Sequence, residues 1–240
     1  MRLSNKRLAR WVRAGLLAPL ALLWLGGCAA TQQAKSVQKS GFLGDYSMLR
    51  AGQEDQALLV YKNPAADWGK YKKIMLDPVT VWLAKDSQFK EVSVEDRQRL
   101  ATILWSKLDE NLRKDYEMTS QPGPDVLRIQ VAITEAGESS VVLDTVSSIV
   151  PQMRLLTGAK GLATGVSGFT GSASVEGKLT DAADGTLLAA AVDRRGGTKS
   201  VSGVTNSWND VDEAYRFWGE KLRYRLCQWR GGTNCVEPKA

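Results

Sequence analysis

The sequence predicts an α+β fold: a mostly antiparallel sheet with two main helices packed on one face, in a single domain. Three observations carry that prediction. Leu127, Ile129, Val131 and Ile133 alternate with Arg128, Gln130, Ala132 and Thr134, the two-residue period of a strand with one buried face. Leu100, Leu104, Leu108 and Leu112 recur every fourth residue, which places them on one side of a helix. Ala173, Val175, Gly177 and Leu179 alternate, Asp181-Ala182-Ala183-Asp184-Gly185 supplies a turn, and residues 186–193 return, the layout of a β-hairpin.

From the N-terminus, Arg2, Lys6, Arg7, Arg10 and Arg13 stand without any acidic residue before an apolar stretch, 14–24, and the small pair Gly26 and Gly27. This is the layout of a signal peptide, residues 1–27. The apolar stretch contains Pro19 and is far shorter than the roughly 20 residues a permanent transmembrane helix needs. Leu25-Gly26-Gly27-Cys28 resembles the bacterial lipobox. That resemblance implies cleavage between Gly27 and Cys28, acylation of Cys28, and membrane anchoring through the acyl chains. Two such chains suffice for stable anchoring, at about 0.8 kcal/mol per buried methylene. Ala29 in place of Asp points, by the sorting rule of enteric bacteria, to the outer membrane. Residues 28–40 are small, polar and aperiodic, and are expected to be the lipidated cysteine and a flexible tether reaching about 40 Å. The periplasmic domain is expected over 41–240.

Residues 41–71 mix aromatic and apolar residues with Gly, Pro and Asp and predict an irregular wrap with one short strand at 58–61. Ile74 and Leu76, then Val79, Val81 and Leu83, predict a strand whose parity shifts at Asp77-Pro78, since proline in a sheet belongs at an edge or a bulge. Ser93-Val94-Glu95-Asp96 is a helix-start pattern, and the helix should run to about Tyr116. Pro122-Gly123-Pro124 ends the connection to the strand at 127–134. After the hairpin, residues 207–229 open with Asp210, Asp212 and Glu213 and close with Lys221, Arg223 and Arg225, the order that a helix dipole favours. Val211, Tyr215, Trp218, Leu222 and Leu226 line one face of this second helix.

Charge and composition exclude several chemistries. The chain carries a net charge of +6, but five cations belong to the leader, leaving 27 Lys plus Arg against 26 Asp plus Glu in residues 28–240. Nucleic acid is therefore not an expected partner. Lys70, Lys72 and Lys73, and Arg194 with Arg195, read as short clusters at solvated strand ends. The absence of histidine removes Ser-His-Asp and Cys-His catalysis and imidazole metal ligation. With Cys28 acylated, Cys227 and Cys235 are left to pair, and export favours the disulfide. A redox pair is the alternative, but the spacing is too wide for C-x-x-C chemistry.

Ser87-Gln88-Phe89-Lys90 matches the S-x-x-K spacing of penicillin-interacting serine enzymes, as does Ser36 to Lys39, with no accompanying Ser-Asp-Asn or Lys-Thr-Gly element. Residues 157–168 are glycine-rich but lack the Gly-Lys-Ser/Thr ending of a phosphate loop. Asp181 and Asp184 read as a turn, since calcium-loop spacing is absent. The tryptophans Trp68, Trp82, Trp105, Trp208, Trp218 and Trp229 are expected to pack in the core or at helix ends. The glycine-rich stretch reads as a flexible connection into the strand at Ala173; the alternative is that the apolar, charge-poor segment from Val141 to Phe169 contacts membrane or a neighbouring subunit.

Three stretches, Ser40-Gly41-Phe42-Leu43-Gly44-Asp45-Tyr46, Tyr71-Lys72-Lys73-Ile74-Met75-Leu76-Asp77-Pro78-Val79, and Leu179-Thr180-Asp181 with Ala191-Val192-Asp193-Arg194-Arg195, are together similar to the domain-of-unknown-function 3313 family of bacterial lipoproteins. The resemblance spans essentially the whole mature chain and implies no catalytic role for any residue. The leading expectation is a non-enzymatic, lipid-anchored periplasmic accessory or binding module without cofactor, metal or catalytic residues. Its partner would be an envelope protein, glycan or lipid. A homo-oligomeric secretion or pore component is the second reading, and an enzyme using Asp, Glu, Lys or Tyr is the third.

Overall fold

The computed structural model describes residues 31–83, 89, 92–139, 170–197 and 207–239. Strands β1 (Thr31–Gln33), β2 (Arg50–Ala51), β3 (Leu59–Lys62), β4 (Lys73–Leu76), β5 (Thr80–Val81), β6 (Glu117–Met118), β7 (Val126–Ser139), β8 (Thr170–Asp181) and β9 (Leu187–Gly197) form one sheet. Its order is β2-β3-β9-β8-β7-β4-β6, with β1 also on β9 and β5 on β7. Helix α1 (Val94–Leu112) lies between β5 and β6, and α2 (Ser207–Trp229) follows β9. The fold is the α+β arrangement that the sequence predicts.

The long strands β7, β8 and β9 pair antiparallel in a meander, and the short turn at residues 182–186 returns β8 directly into β9 as a hairpin. The strands before the meander behave differently. β4 and β5 run parallel to β7, since α1 carries the chain over the sheet before it returns, and a parallel pair needs such a crossover. The parity shift at Asp77-Pro78 is real. β4 pairs with residues 126–129 of β7 and β5 with 132–133, so one interrupted strand follows β7 on either side of the proline.

Helix α1 begins where Ser93 accepts a hydrogen bond from the Asp96 amide at 3.0 Å, satisfying one of the unpaired amides of a helix start. Its Leu100, Leu104, Leu108 and Leu112 are buried against Ile74, Leu127, Ile129 and Ile133 of the sheet and Val211, Tyr215 and Leu226 of α2. Each such leucine contributes about 2 kcal/mol by leaving water. The helix stops at Leu112, before Tyr116, in a turn capped by Arg113.

Three expectations need correction. Residues 31–33, placed in the flexible tether, are a strand: Thr31, Gln32 and Gln33 pair with Gly197, Gly196 and Arg195, and Thr31 is fully buried. Polar composition conceals this, because the partners lie about 160 residues away and are themselves polar. Arg195, assigned to a solvated strand end, is buried under α2. Trp82, assigned to packing, is 45% exposed; its indole donates to the Ser40 carbonyl at 3.2 Å and meets Phe42 edge-on.

Candidate functional site

Strand register builds the candidate site. Val131 of β7 pairs with Gly177 of β8, Gly177 with Ala191 of β9, and Ala191 with Val60 of β3. The next row is Ile129, Leu179, Ala189 and Lys62. Residues directly opposite each other in a sheet share a face, and Ile129 and Leu179 show which face this is, since they pack with Leu104 and Leu108 of α1. Across the gap stand Trp218, Leu222 and Trp229 of α2. The centre of the first row is Gly177 and Ala191, and the second row has Ala189 beside Leu179; the glycine and the two alanines are too small to reach the helix. A cavity of about 470 Å³ remains, within the range of roughly 300–1,000 Å³ typical of ligand pockets.

Gly177 is not demanded by its backbone. A Cβ built there would stand 3.8 Å from the Gln130 carbonyl and from Val131, an ordinary contact. A glycine in a strand interior otherwise weakens the strand. The local effect of this one is to keep the floor of the cavity open.

One end of the cavity is polar and fully committed. Asp193 accepts hydrogen bonds from Gln33 Nε2 at 2.6 Å, Trp218 Nε1 at 2.7 Å and the Leu58 amide at 3.3 Å. Burial pushes its carboxyl above the usual carboxylate range, against the pull of these donors and of Arg195. Burial likewise lowers the pKa of Arg195, with Asp193 opposing. The Arg195 guanidinium lies 3.7 Å from the Phe217 ring centroid and donates to Thr31 Oγ1 and O at 3.3 and 3.1 Å. Asp193 thus locks the Trp218 indole into the cavity wall and joins the N-terminal strand to α2.

The rim carries the remaining charges. Arg225 donates to Asp55 Oδ2 at 2.6 Å and to the Asp55 carbonyl at 2.7 Å, and Arg225 keeps the Asp55 carboxyl below its ordinary range although burial alone would raise it. Lys221 meets Glu237 at 3.4 Å. Lys62 Nζ sits 5.4 Å from the Trp229 ring centroid. Glu237 and Pro238 line the cavity because the tail folds back along α2. It turns at Gly231, whose φ of 78° favours glycine, and is held by the Cys227–Cys235 disulfide, with S–S 2.02 Å and Cα–Cα 5.6 Å. The predicted pairing is present, and it positions a wall of the cavity as well as the terminus.

Two further carboxylates are buried and occupied. Asp181, at the end of β8, accepts from Lys70 Nζ at 2.6 Å, Tyr71 OH at 3.0 Å and the Ala183 amide at 2.8 Å. Burial raises its pKa but these donors outweigh it and hold it below the usual range. Burial, then the bond to Asp181, pushes the Tyr71 phenol up to about 12. On the sheet face away from the helices, Glu176 accepts from the Ser40 amide at 2.6 Å and Tyr46 OH at 2.5 Å. That pins the crossing of residues 40–46.

Gly27, Cys28, Ser87, Lys90, the glycine-rich stretch 157–168 and the segment from Val141 to Phe169 lie outside the described residues. Ser36 and Lys39 lie in the described non-helical stretch after β1. Asp184 accepts from the Thr186 amide at 2.8 Å in the turn between β8 and β9. Among the described residues, no group of three or more His, Cys, Asp and Glu side chains is placed to hold a metal. No described helix is long and apolar enough to cross a membrane. The sequence marks Gly177, Ala189, Ala191 and Asp193 only as ordinary hairpin positions, and Arg195 only as part of a basic cluster at a strand end. The available signal was the small-residue run 189–191 facing a central glycine.

No curated protein matches the sequence. Among solved structures, the chain is similar to the PelC dodecamer from Paraburkholderia phytofirmans at 10% identity and TM-score 0.37, covering 72% of this chain and 98% of that one. It is also similar to protein XCC0632 from Xanthomonas campestris, at 11% identity and TM-score 0.37 over 69% and 89%. A third likeness is to lipoprotein GNA1162 from Neisseria meningitidis, at 14% identity and TM-score 0.29 over 55% and 88%. Likeness at these values carries no conclusion about function. The family comparison is of another kind, because the model described as "Protein of unknown function (DUF3313)" matches residues 38–222. That span takes in β3, β7, β8 and β9, which floor the cavity, and most of α2, and the chain belongs to the DUF3313 family.

Proposed function

We propose that the protein is a non-enzymatic binding module of the bacterial envelope, anchored to the outer membrane by acyl chains on Cys28 and holding a ligand in the cavity beneath α2. The observation that carries this reading is the row Val131, Gly177, Ala191 and Val60. The middle of a sheet, on the face covered by helices, is where a fold ordinarily buries its largest apolar side chains. Here the smallest stand there. The walls are apolar, and the carboxylate at the polar end already has its donors, so the site holds a ligand by shape and desolvation.

Anchoring and cavity act close together. Thr31 is pinned to Gly197, so only the link from Cys28 to Thr31 separates acyl chains from folded domain, a reach of about 10 Å. The short link replaces the long tether and keeps the domain at the membrane surface.

The test is recovery of a bound species. Native mass spectrometry of the mature protein from envelope extracts should show an adduct that Ala191→Phe, which fills the cavity, removes without unfolding the protein. Turnover of an envelope substrate by the purified protein, abolished by a single carboxylate substitution, would overturn the non-enzymatic reading.

A further inference from the structure

We infer that the cavity takes a single-chain amphiphile, its acyl chain under α2 and its anionic head beside Lys62. This rests on the binding reading above and names the ligand class. The two residue rows cross four neighbouring strands, β7, β8, β9 and β3, which at about 4.8 Å per strand makes a floor roughly 14 Å long. Along it the side chains are Ile129, Val131, Gly177, Leu179, Ala189, Ala191 and Val60, without a hydrogen-bonding group. A floor of this kind disfavours a polar ligand, whose groups would be stripped of water without new partners. An acyl chain gives up no hydrogen bond by entering it and gains about 0.8 kcal/mol per buried methylene.

The rim decides the head. Arg225 is held by Asp55 at 2.6 Å and Lys221 by Glu237 at 3.4 Å. Lys62 ends the second row on the cavity side of the sheet, and its Nζ sits 5.4 Å from the Trp229 ring centroid. Among the described residues it is therefore the rim cation with no carboxylate within ion-pair distance. An ammonium so placed beside an apolar slot favours a carboxylate or phosphate head. Glu54 on the same rim offers the opposite preference, for a cationic head, and the test separates the two.

The chain 29–240 contains every described residue and carries no acyl group, so it can be exported behind a cleavable signal and titrated with palmitate, hexadecanol and hexadecyltrimethylammonium below their aggregation limits. Tryptophan fluorescence reads binding through Trp218 and Trp229. Palmitate should bind saturably, and Ala191→Phe and Gly177→Leu should each weaken it by about tenfold or more, with thermal midpoints that show both variants folded. Lys62→Glu should weaken palmitate about fivefold or more and leave hexadecanol unchanged. Equal binding by wild type and both filled variants overturns the site, and tighter binding of the cationic amphiphile overturns the head assignment. If no amphiphile binds but Ala191→Phe still removes an adduct from envelope extracts, the lipid class is wrong and the binding module stands. If that adduct is also unaffected, both fail.

Discussion

Two buried aspartates on neighbouring strands titrate in opposite directions, because one is surrounded by more donor strength than its burial takes away and the other is not. Asp181 is held below its usual value near 3.8 despite burial, by Lys70, the Ala183 amide and Tyr71. Its contribution is therefore present above the unfolded value and is lost as pH falls through the lower, folded one. Asp193 is held above 3.8, burial prevailing over Trp218, Gln33, Arg195 and Leu58. Its contribution is greatest below the unfolded value and declines as pH rises through the folded one. Urea midpoints measured from pH 2 to 6 should rise less steeply for Asp181→Asn than for the wild type. An unchanged slope would show that the Lys70 contact is made equally in the unfolded chain. Neither behaviour was legible in the sequence, where Asp181 is one turn residue among several and Asp193 one polar position at the end of the returning strand.

At the scale of elements, the crossing of α1 and α2 is set by Gly219. A Cβ there would stand 2.8 Å from the Lys107 carbonyl oxygen and 3.0 Å from Asn111 Nδ2, and Asn111 is itself fixed by a 2.9 Å bond to that same carbonyl. Alanine is the better helix former by about 1 kcal/mol, so propensity alone predicts that Gly219→Ala stabilises. The close approach predicts the reverse: the helices must separate, at a cost of about 1–3 kcal/mol. Chemical denaturation should show a net loss, and a gain would mean that α1 shifts freely along α2. Helix existence and extent were readable from the leucine period and the charge order of residues 207–229. The close crossing was not, since glycine inside an apolar period carries no mark of what it touches.

For the whole molecule, the Cys227–Cys235 disulfide closes a loop with a sequence separation of 8, small enough that its removal should cost about 2 kcal/mol. Replacing both cysteines with serine should lower the unfolding free energy by that amount, measured in urea; an unchanged value would show that Lys221 and Glu237 alone hold the tail. The loss should also loosen the wall formed by Glu237 and Pro238, since residues 230–239 are not part of a strand. The sequence by itself determined the α+β class, both helices, the long hairpin and the cysteine pairing. Each of these is written in local periodicity, turn chemistry or a count of thiols. It also carries the lipobox pattern at Leu25-Gly26-Gly27-Cys28, from which the anchoring proposal starts. Only the tertiary structure decided that Thr31–Gln33 is a strand, that Arg195 is buried on Phe217, and that Gly177, Ala189 and Ala191 meet beneath α2. Those facts depend on register between segments far apart in the chain, and a shift of one residue would turn every one of these side chains to the other face.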